Sequence, residues 1–102
     1  MKALDAANFD ETLEKGGTVA VDFWAPWCGP CRALAPVMEQ VAQEVGDSVL
    51  VAKVNIDEAP ELGERFGLQS IPAIIYFKNG TEVGRSVGMT TKTDVIAALK
   101  SL

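Results

Sequence analysis

The chain has no histidine, only two cysteines among its 102 residues, and nine basic residues against fourteen acidic ones. A closed structural zinc site takes four cysteine, histidine or carboxylate ligands, so this composition argues against one. The net charge of −5 argues against binding to nucleic acid or to an anionic membrane surface, because proteins that bind such surfaces are basic. We therefore expect no metal, no nucleic-acid partner and no membrane partner.

Long apolar runs and nucleotide-binding motifs are also missing. No run approaches the roughly 20 residues of a membrane-spanning helix, and residues 1–5 lack the apolar stretch of a secretory signal. Neither a Gly-x-Gly-x-x-Gly fingerprint nor a P-loop occurs, so we expect no nicotinamide, flavin or nucleotide cofactor. We expect a soluble protein of a reducing compartment: the cytoplasm, or an organelle stroma or matrix if a transit peptide was removed.

The length and the apolar content predict one folded unit. A chain of 102 residues makes one ordinary domain, large enough to bury a core and too small for two. Hydrophobic residues make up 48% of it against 23% charged, with no linker, repeat or low-complexity tract. We therefore predict a single domain over residues 1–102.

Both cysteines lie within four residues, in the segment Trp27-Cys28-Gly29-Pro30-Cys31. A C-x-x-C pair near a β-α-β pattern in an intracellular chain is typical of dithiol/disulfide redox chemistry. Gly29 allows a tight bend, and Pro30 suits the first turn of a helix. A purely structural crosslink is disfavoured, because the stabilisation from a disulfide grows with the loop it closes and this loop is very short.

Strand and helix signals alternate along the chain. Apolar runs and alternation predict strands over residues 2–4, 19–25, 49–56, 71–77 and 82–87. Helices are predicted after Asn8, from the cysteines to Gly46, from Pro60 and after Thr91. Asn79-Gly80 between two strand-like runs predicts an antiparallel hairpin. The near-continuous apolar run over 19–25 predicts a central strand, and the whole order indicates an α/β fold with a mixed sheet covered by helices.

Asp22 is the one charged residue in the apolar run over 19–25. An ionised carboxylate there would cost several kcal/mol, so the pKa of Asp22 should be raised, which makes it a usable proton acceptor. A strand carboxyl satisfied by hydrogen bonds is the alternative interpretation, and the sequence alone favours it. Lys53 lies on the polar face of the next predicted strand, where a solvated lysine is common.

Residues 21–31, VDFWAPWCGPC, resemble the active-site segment of the thioredoxin family. Later landmarks of the family recur in the same order: Lys53-Val54-Asn55-Ile56-Asp57, Ser70-Ile71-Pro72, Phe77-Lys78-Asn79-Gly80 and Val87-Gly88. The resemblance covers the whole chain, with departures at Pro26, Arg32 and Ala73. It implies a central sheet of five strands flanked by four helices, and a general protein disulfide reductase that cycles between dithiol and disulfide.

The attacking species in thiol-disulfide exchange is an accessible thiolate, and Cys28 precedes the helix, whose N-terminal end favours an anion. We therefore predict that Cys28 attacks the substrate disulfide and that Cys31 then resolves the mixed disulfide. The resemblance implies that Asp22, with Lys53 nearby, accepts the proton of Cys31 through a water molecule. It also implies that Ile71-Pro72 forms a cis-proline loop facing the dithiol.

The predicted contact surface for substrates is a small apolar patch: Trp27, Gly29, Pro30, Ile71, Pro72 and Gly88. Trp24 is predicted to pack beneath the active-site loop. The implied partners of this monomer are substrate proteins with exposed disulfides and a separate thioredoxin reductase, flavin- or ferredoxin-dependent. Two alternatives stay open: a disulfide oxidant or isomerase, disfavoured by Gly29-Pro30, and a non-catalytic interaction subunit.

Overall fold

A computed structural model describes all 102 residues as one mixed sheet with helices on both faces. The strands are β1 (Lys2–Leu4), β2 (Thr18–Trp24), β3 (Val49–Asn55), β4 (Ala73–Lys78) and β5 (Thr81–Val87). The helices are α1 (Phe9–Glu14), α2 (Gly29–Val45), α3 (Pro60–Arg65) and α4 (Lys92–Lys100). The strand order is β1-β3-β2-β4-β5. The pairs β1–β3 and β3–β2 are parallel, and the pairs β2–β4 and β4–β5 are antiparallel. This confirms the predicted α/β fold of five strands and four helices, with β2 central.

The sheet separates two hydrophobic cores, because side chains alternate between its faces along each strand. Val21 and Phe23 of β2 face α1 and α3, where they join a core that includes Phe9 and Leu62. Ala20 of β2 faces α2 and α4 and joins the second core. Asp22 shares the parity of Ala20, so it lies on the α2 side of the central strand. The burial of β2 on both faces explains its near-continuous apolar sequence.

Helix α2 fixes the position of the cysteines against the sheet. Its 17 residues make it the longest helix, and no helix is long and apolar enough to cross a bilayer. Its apolar side packs against the sheet, where Leu34, Met38 and Val41 are fully buried in the second core. Cys28 is the N-cap of the helix, and its backbone N–H donates to the Ala25 carbonyl, 3.1 Å away. The end of β2 and the start of α2 are therefore tied together at the cysteine segment.

Two local details differ from the sequence-based expectations. Asn8 occupies the N-cap position of α1, but its side-chain oxygen accepts from the Asp5 backbone N–H, 2.8 Å away, and not from an N–H of the helix. Strand β4 begins at Ala73 and not at residue 71. Pro72 has no N–H to donate to a neighbouring strand, so the ladder starts after it.

Asn79 and Gly80 form the predicted turn between β4 and β5. Both have positive φ values, 51° and 83°, as a type I′ turn requires. The Asn79 Oδ1 atom also accepts from the Gly17 backbone N–H at 2.9 Å, and the Asn79 N–H donates to the Gly17 carbonyl at 2.9 Å. The hairpin is therefore fastened to the turn that precedes β2.

Replacing Asn79 by alanine should lower the free energy of unfolding by about 1 to 2 kcal/mol, because alanine resists the positive φ and the bond to Gly17 is lost. Asn79→Gly tolerates the backbone conformation and loses only the bond, so it should cost less. Urea unfolding of both variants beside Lys78→Ala, an exposed neighbour, measures the difference. Equal stability of Asn79→Ala and Lys78→Ala would contradict this account of the turn.

Candidate active site

Cys28 and Cys31 are joined by a disulfide, with their Cα atoms 5.2 Å apart. The Cys31 backbone N–H donates to Cys28 Sγ at 3.2 Å, so the side chain of Cys28 caps α2 as a serine or aspartate oxygen does elsewhere. No acidic residue lies in the first turn of the helix. A thiolate at Cys28 would keep this N–H donor and would face the positive end of the helix dipole. The arrangement favours the anion that thiol-disulfide exchange requires.

The two cysteines differ slightly in accessibility. Cys28 is 5% exposed and Cys31 1% exposed, and both belong to a small apolar cluster with Ala25. The more accessible cysteine is the predicted nucleophile, although it is more covered than its predicted role suggests. Ile71 accounts for part of this cover, because its carbonyl oxygen lies 3.9 Å from Cys28 Sγ. A substrate sulfur therefore has a narrow approach to Cys28 and a still narrower one to Cys31.

Asp22 and Cys31 line the same cavity of about 160 Å³, together with Lys53, Trp24 and Arg32. Asp22 is 2% exposed, and its Oδ1 atom makes no hydrogen bond. Burial raises the pKa of Asp22 to about 7, while the positive charge of Lys53 acts in the opposite direction. The cavity is large enough for water, since a water molecule takes about 30 Å³ in the liquid. The alternative of a carboxyl satisfied by protein hydrogen bonds does not describe Oδ1.

Lys53 lies directly beside Asp22, because the two residues are paired in the register of β2 and β3. Its Nζ atom is 5.6 Å from the centroid of the Trp24 ring, within the range of a cation–π contact. Trp24 is half-buried, and its Nε1 makes no hydrogen bond. The lysine charge is thus held between the indole and the carboxyl side of the cavity.

The residues of the predicted contact surface lie around the disulfide and differ in their exposure to solvent. Trp27 is 66% exposed, and Gly29 and Pro30 are also exposed. Ile71 and Gly88 are half-buried, whereas Pro72 is buried. The Ile71-Pro72 peptide bond is cis, and the Gly88 N–H donates to the Pro72 carbonyl at 2.8 Å. The loop before β4 and the end of β5 therefore form one edge of the site, and Trp27 the other.

Sequence reasoning missed Asp57 as a member of the site. The Trp27 Nε1–H donates to Asp57 Oδ1 at 3.0 Å, which fixes the exposed indole beside the disulfide. A signal was present, because Trp27 follows β2 and Asp57 follows β3, and neighbouring parallel strands end at the same edge of a sheet. Arg32 was also assigned no contact, and its guanidinium donates to the Pro26 carbonyl at 3.0 Å. No group of three or more cysteine, aspartate or glutamate side chains is placed to hold a metal ion.

Comparisons with known proteins point to a single family. The thioredoxin family model, described as "Thioredoxin", matches residues 1–101. Thioredoxin 1 of Synechococcus elongatus is 47% identical over 95 residues, covering 93% of this chain and 89% of the relative. Thioredoxin of Alicyclobacillus acidocaldarius is 47% identical over 96 residues, covering 94% and 91%. Thioredoxin of Bacillus subtilis is 45% identical over 92 residues, covering 90% and 86%. With its redox-active cysteine pair, the protein is a thiol-disulfide reductase, and the chain belongs to the thioredoxin family.

Proposed function

We propose that Cys28 is the nucleophile and Cys31 the resolving thiol in the reduction of disulfides of other proteins. The Cys28 thiolate attacks one substrate sulfur, forms a mixed disulfide and releases the other substrate sulfur, which takes up a proton. The Cys31 thiolate then attacks Cys28 Sγ, which forms the Cys28–Cys31 disulfide and releases the second substrate thiol. Two electrons and two protons pass to the substrate. The observation that carries this assignment is the position of Cys28 as the N-cap of α2 and the more accessible of the two cysteines.

Asp22 is the proton acceptor for Cys31 in the second step. Its pKa of about 7 suits a group that exchanges protons near neutral pH. The shared cavity supports transfer through water, because the carboxyl and the Cys31 side chain both border it. Lys53 positions and stabilises the carboxylate that exists before the proton is taken up. Its contact with Trp24 holds the ammonium group close to the site.

The patch around Trp27, Gly29, Pro30 and Ile71-Pro72 binds the substrate chain, with Gly88 supporting it. Support comes from the backbone of Ile71, which lies outside the helices and strands. Neither its N–H nor its carbonyl makes a hydrogen bond with another backbone group. An extended substrate segment can pair with these groups while its sulfur reaches Cys28, as added strands pair with a free edge elsewhere. The Ile71 carbonyl, 3.9 Å from Cys28 Sγ, already borders the reacting atom.

Thioredoxins act with a reductase and with disulfide substrates, and we propose that this protein likewise has a reductase and substrate proteins as its partners. Electrons come from a separate thioredoxin reductase, dependent on flavin or ferredoxin, because the proposed cycle consumes one dithiol per turnover. Continued turnover then requires a reducing compartment, for which we propose the cytoplasm. Residues 1–102 work as one domain and as a monomer, with Trp27 and its surroundings free to meet successive partners.

The redox equilibrium of the cysteine pair tests the proposed function. The oxidised protein is equilibrated with graded dithiol buffers, and tryptophan emission is followed, because Trp24 and Trp27 both lie at the site. We expect a couple more reducing than the glutathione pool. The Cys28→Ser/Cys31→Ser variant is the control and should show no redox-dependent emission. Ready reduction by glutathione would point to an oxidant or isomerase instead.

A further inference from the structure

A groove of about 660 Å³ adjoins the disulfide on the α3 side of Trp27. Its lining includes Trp27 and Ile71, which we call the inner wall, Pro60, Gly63 and Glu64 of α3, which we call the outer wall, and Leu68. The inner wall is shared with the active site, because the Ile71 carbonyl is 3.9 Å from Cys28 Sγ. A chain that brings its sulfur to Cys28 can therefore reach this groove within one or two residues, at about 3.3 Å per residue.

Helix α3, which supplies the outer wall, and the turn before it are acidic and lack compensating cations. The turn before α3 and the helix itself carry Asp57, Glu58, Glu61 and Glu64. Asp57 accepts from Trp27 and Glu58 accepts from an asparagine side chain, whereas Glu61 and Glu64 have no hydrogen-bond or ion-pair partner. Glu64, which lines the groove, and Glu61, which precedes it on the same helix, are thus free to pair with a ligand.

The cations that flank this wall in the sequence are engaged elsewhere, as are two other arginines. Lys53 contacts the Trp24 ring. Arg65 of α3 forms an ion pair with Asp10 at 2.9 Å. Arg85 is held by Glu82 at 2.7 Å and by the Phe66 carbonyl at 2.9 Å. Arg32 donates to the Pro26 carbonyl on the other side of the disulfide. The apolar floor and the uncompensated negative wall together favour one kind of occupant: an extended segment with an apolar side chain followed by a basic one.

We propose that this groove selects among substrate proteins, preferring a disulfide whose reacting cysteine is followed or preceded, within about three residues, by an apolar side chain and a lysine or arginine. The apolar side chain lies between Trp27 and Leu68, and the cation faces Glu61 and Glu64. The inference rests on the proposed function, because the groove selects only for chains that react at Cys28. The charge contacts are exposed, so the selection is a preference of about tenfold in rate at low ionic strength and weakens in salt.

The test uses short peptides that carry one mixed disulfide with a small uncharged thiol. Leucine adjoins the cysteine, and the next residue is lysine, glutamine or glutamate, in one set before the cysteine and in another after it. Rate constants for attack by the reduced protein are divided by those for 2-mercaptoethanol, which removes the intrinsic effect of peptide charge on the disulfide. In one set, we expect the normalised rate constant of the lysine peptide to be about ten times that of the glutamate peptide at low ionic strength. At high salt the ratio should fall to about twofold.

Matched variants locate the preference. Glu61→Gln/Glu64→Gln should reduce the lysine-to-glutamate ratio to about twofold at low ionic strength. Glu14→Gln/Asp47→Asn removes two exposed carboxylates that lie neither on α3 nor in the groove and should retain the wild-type ratio. An equal fall in both variants would assign the effect to net charge and overturn the proposal, as would equal rates of wild-type protein with all peptides.

Reaction of the wild-type protein with bis(2-hydroxyethyl) disulfide separates the two proposals. This small uncharged disulfide reaches Cys28 without filling the groove. Rapid reaction combined with no preference among the peptides would overturn the groove proposal and leave the proposed function standing. No reaction with this compound or with any peptide would overturn the proposed function, and the groove proposal with it.

Discussion

Replacing Cys28 by serine is expected to lower the rate of disulfide reduction by at least about a thousandfold, the range of losses seen when an enzyme loses its nucleophile. The serine hydroxyl does not ionise near neutral pH, and Cys31, 1% exposed, cannot substitute for it. Replacing Cys31 by serine should also stop turnover, but after one attack. Its product is a stable mixed disulfide between Cys28 and the substrate, because the resolving thiol is gone.

Mass spectrometry of the intact proteins distinguishes these two failures. Cys31→Ser incubated with a disulfide substrate should gain the mass of one substrate chain and lose it again with dithiothreitol. Cys28→Ser and the double variant should gain nothing. An adduct on Cys28→Ser together with retained turnover would reverse the roles of the two cysteines.

Replacing Asp22 by asparagine is expected to raise the free energy of unfolding at pH 8 by up to about 4 kcal/mol, since each pKa unit corresponds to about 1.4 kcal/mol. The pKa of Asp22 is raised from 3.8 to about 7 by burial. Between these two pH values the folded protein holds a proton that the unfolded chain releases, so wild-type stability falls as pH rises from about 4 to about 7 and then levels off. Asparagine removes this loss of stability because it does not titrate, and its side chain has nearly the same shape as that of aspartic acid.

Urea unfolding of the oxidised proteins at intervals from pH 4 to pH 9 measures the effect. The stabilities of wild type and Asp22→Asn should nearly coincide at pH 4 and diverge up to about pH 7. Asp47→Asn, which changes an exposed carboxylate, should follow the wild-type curve. Parallel curves for wild type and Asp22→Asn would mean that the pKa of Asp22 is ordinary.

The same substitution also tests the proposed role of Asp22 in catalysis. If the carboxylate accepts the proton of Cys31, Asp22→Asn should slow the release of substrate from the mixed disulfide and leave the first attack by Cys28 nearly unchanged. Stopped-flow measurement of the two steps separates them. A slower first attack with unchanged release would show that Asp22 acts on Cys28 and not on Cys31, against the proposal.

Much of the fold was predictable because its signals are local. Asn79-Gly80 marks a hairpin wherever strands flank it, and the apolar run around Asp22 indicates a strand covered on both faces. Patterns of this kind depend on residues a few positions apart. They predicted the strands, the helices and the buried carboxyl together with the direction of its pKa shift.

The contacts that complete the site were not predictable in this way. Trp27 meets Asp57, thirty positions later, and the groove joins Trp27 to Gly63 and Leu68. Such pairs are determined by which strands neighbour each other, and periodicity along one segment carries no information about that. The cap of α1 shows a second limit. The side-chain oxygen of Asn8 could accept from an N–H of the helix or from another nearby backbone N–H, and it accepts from that of Asp5.

The cysteines and the acidic wall of the groove belong to different layers of the molecule. Helix α2 carries the cysteines on one face of the sheet, while α3 packs on the other through Leu62 and leaves Glu61 and Glu64 in solvent. Those two positions contribute nothing to either core. During evolution such a surface can acquire a different charge, and with it different clients, while the electron-transfer chemistry is inherited unchanged. Divergence of partners among related chains should therefore be concentrated on α3 and the turn before it.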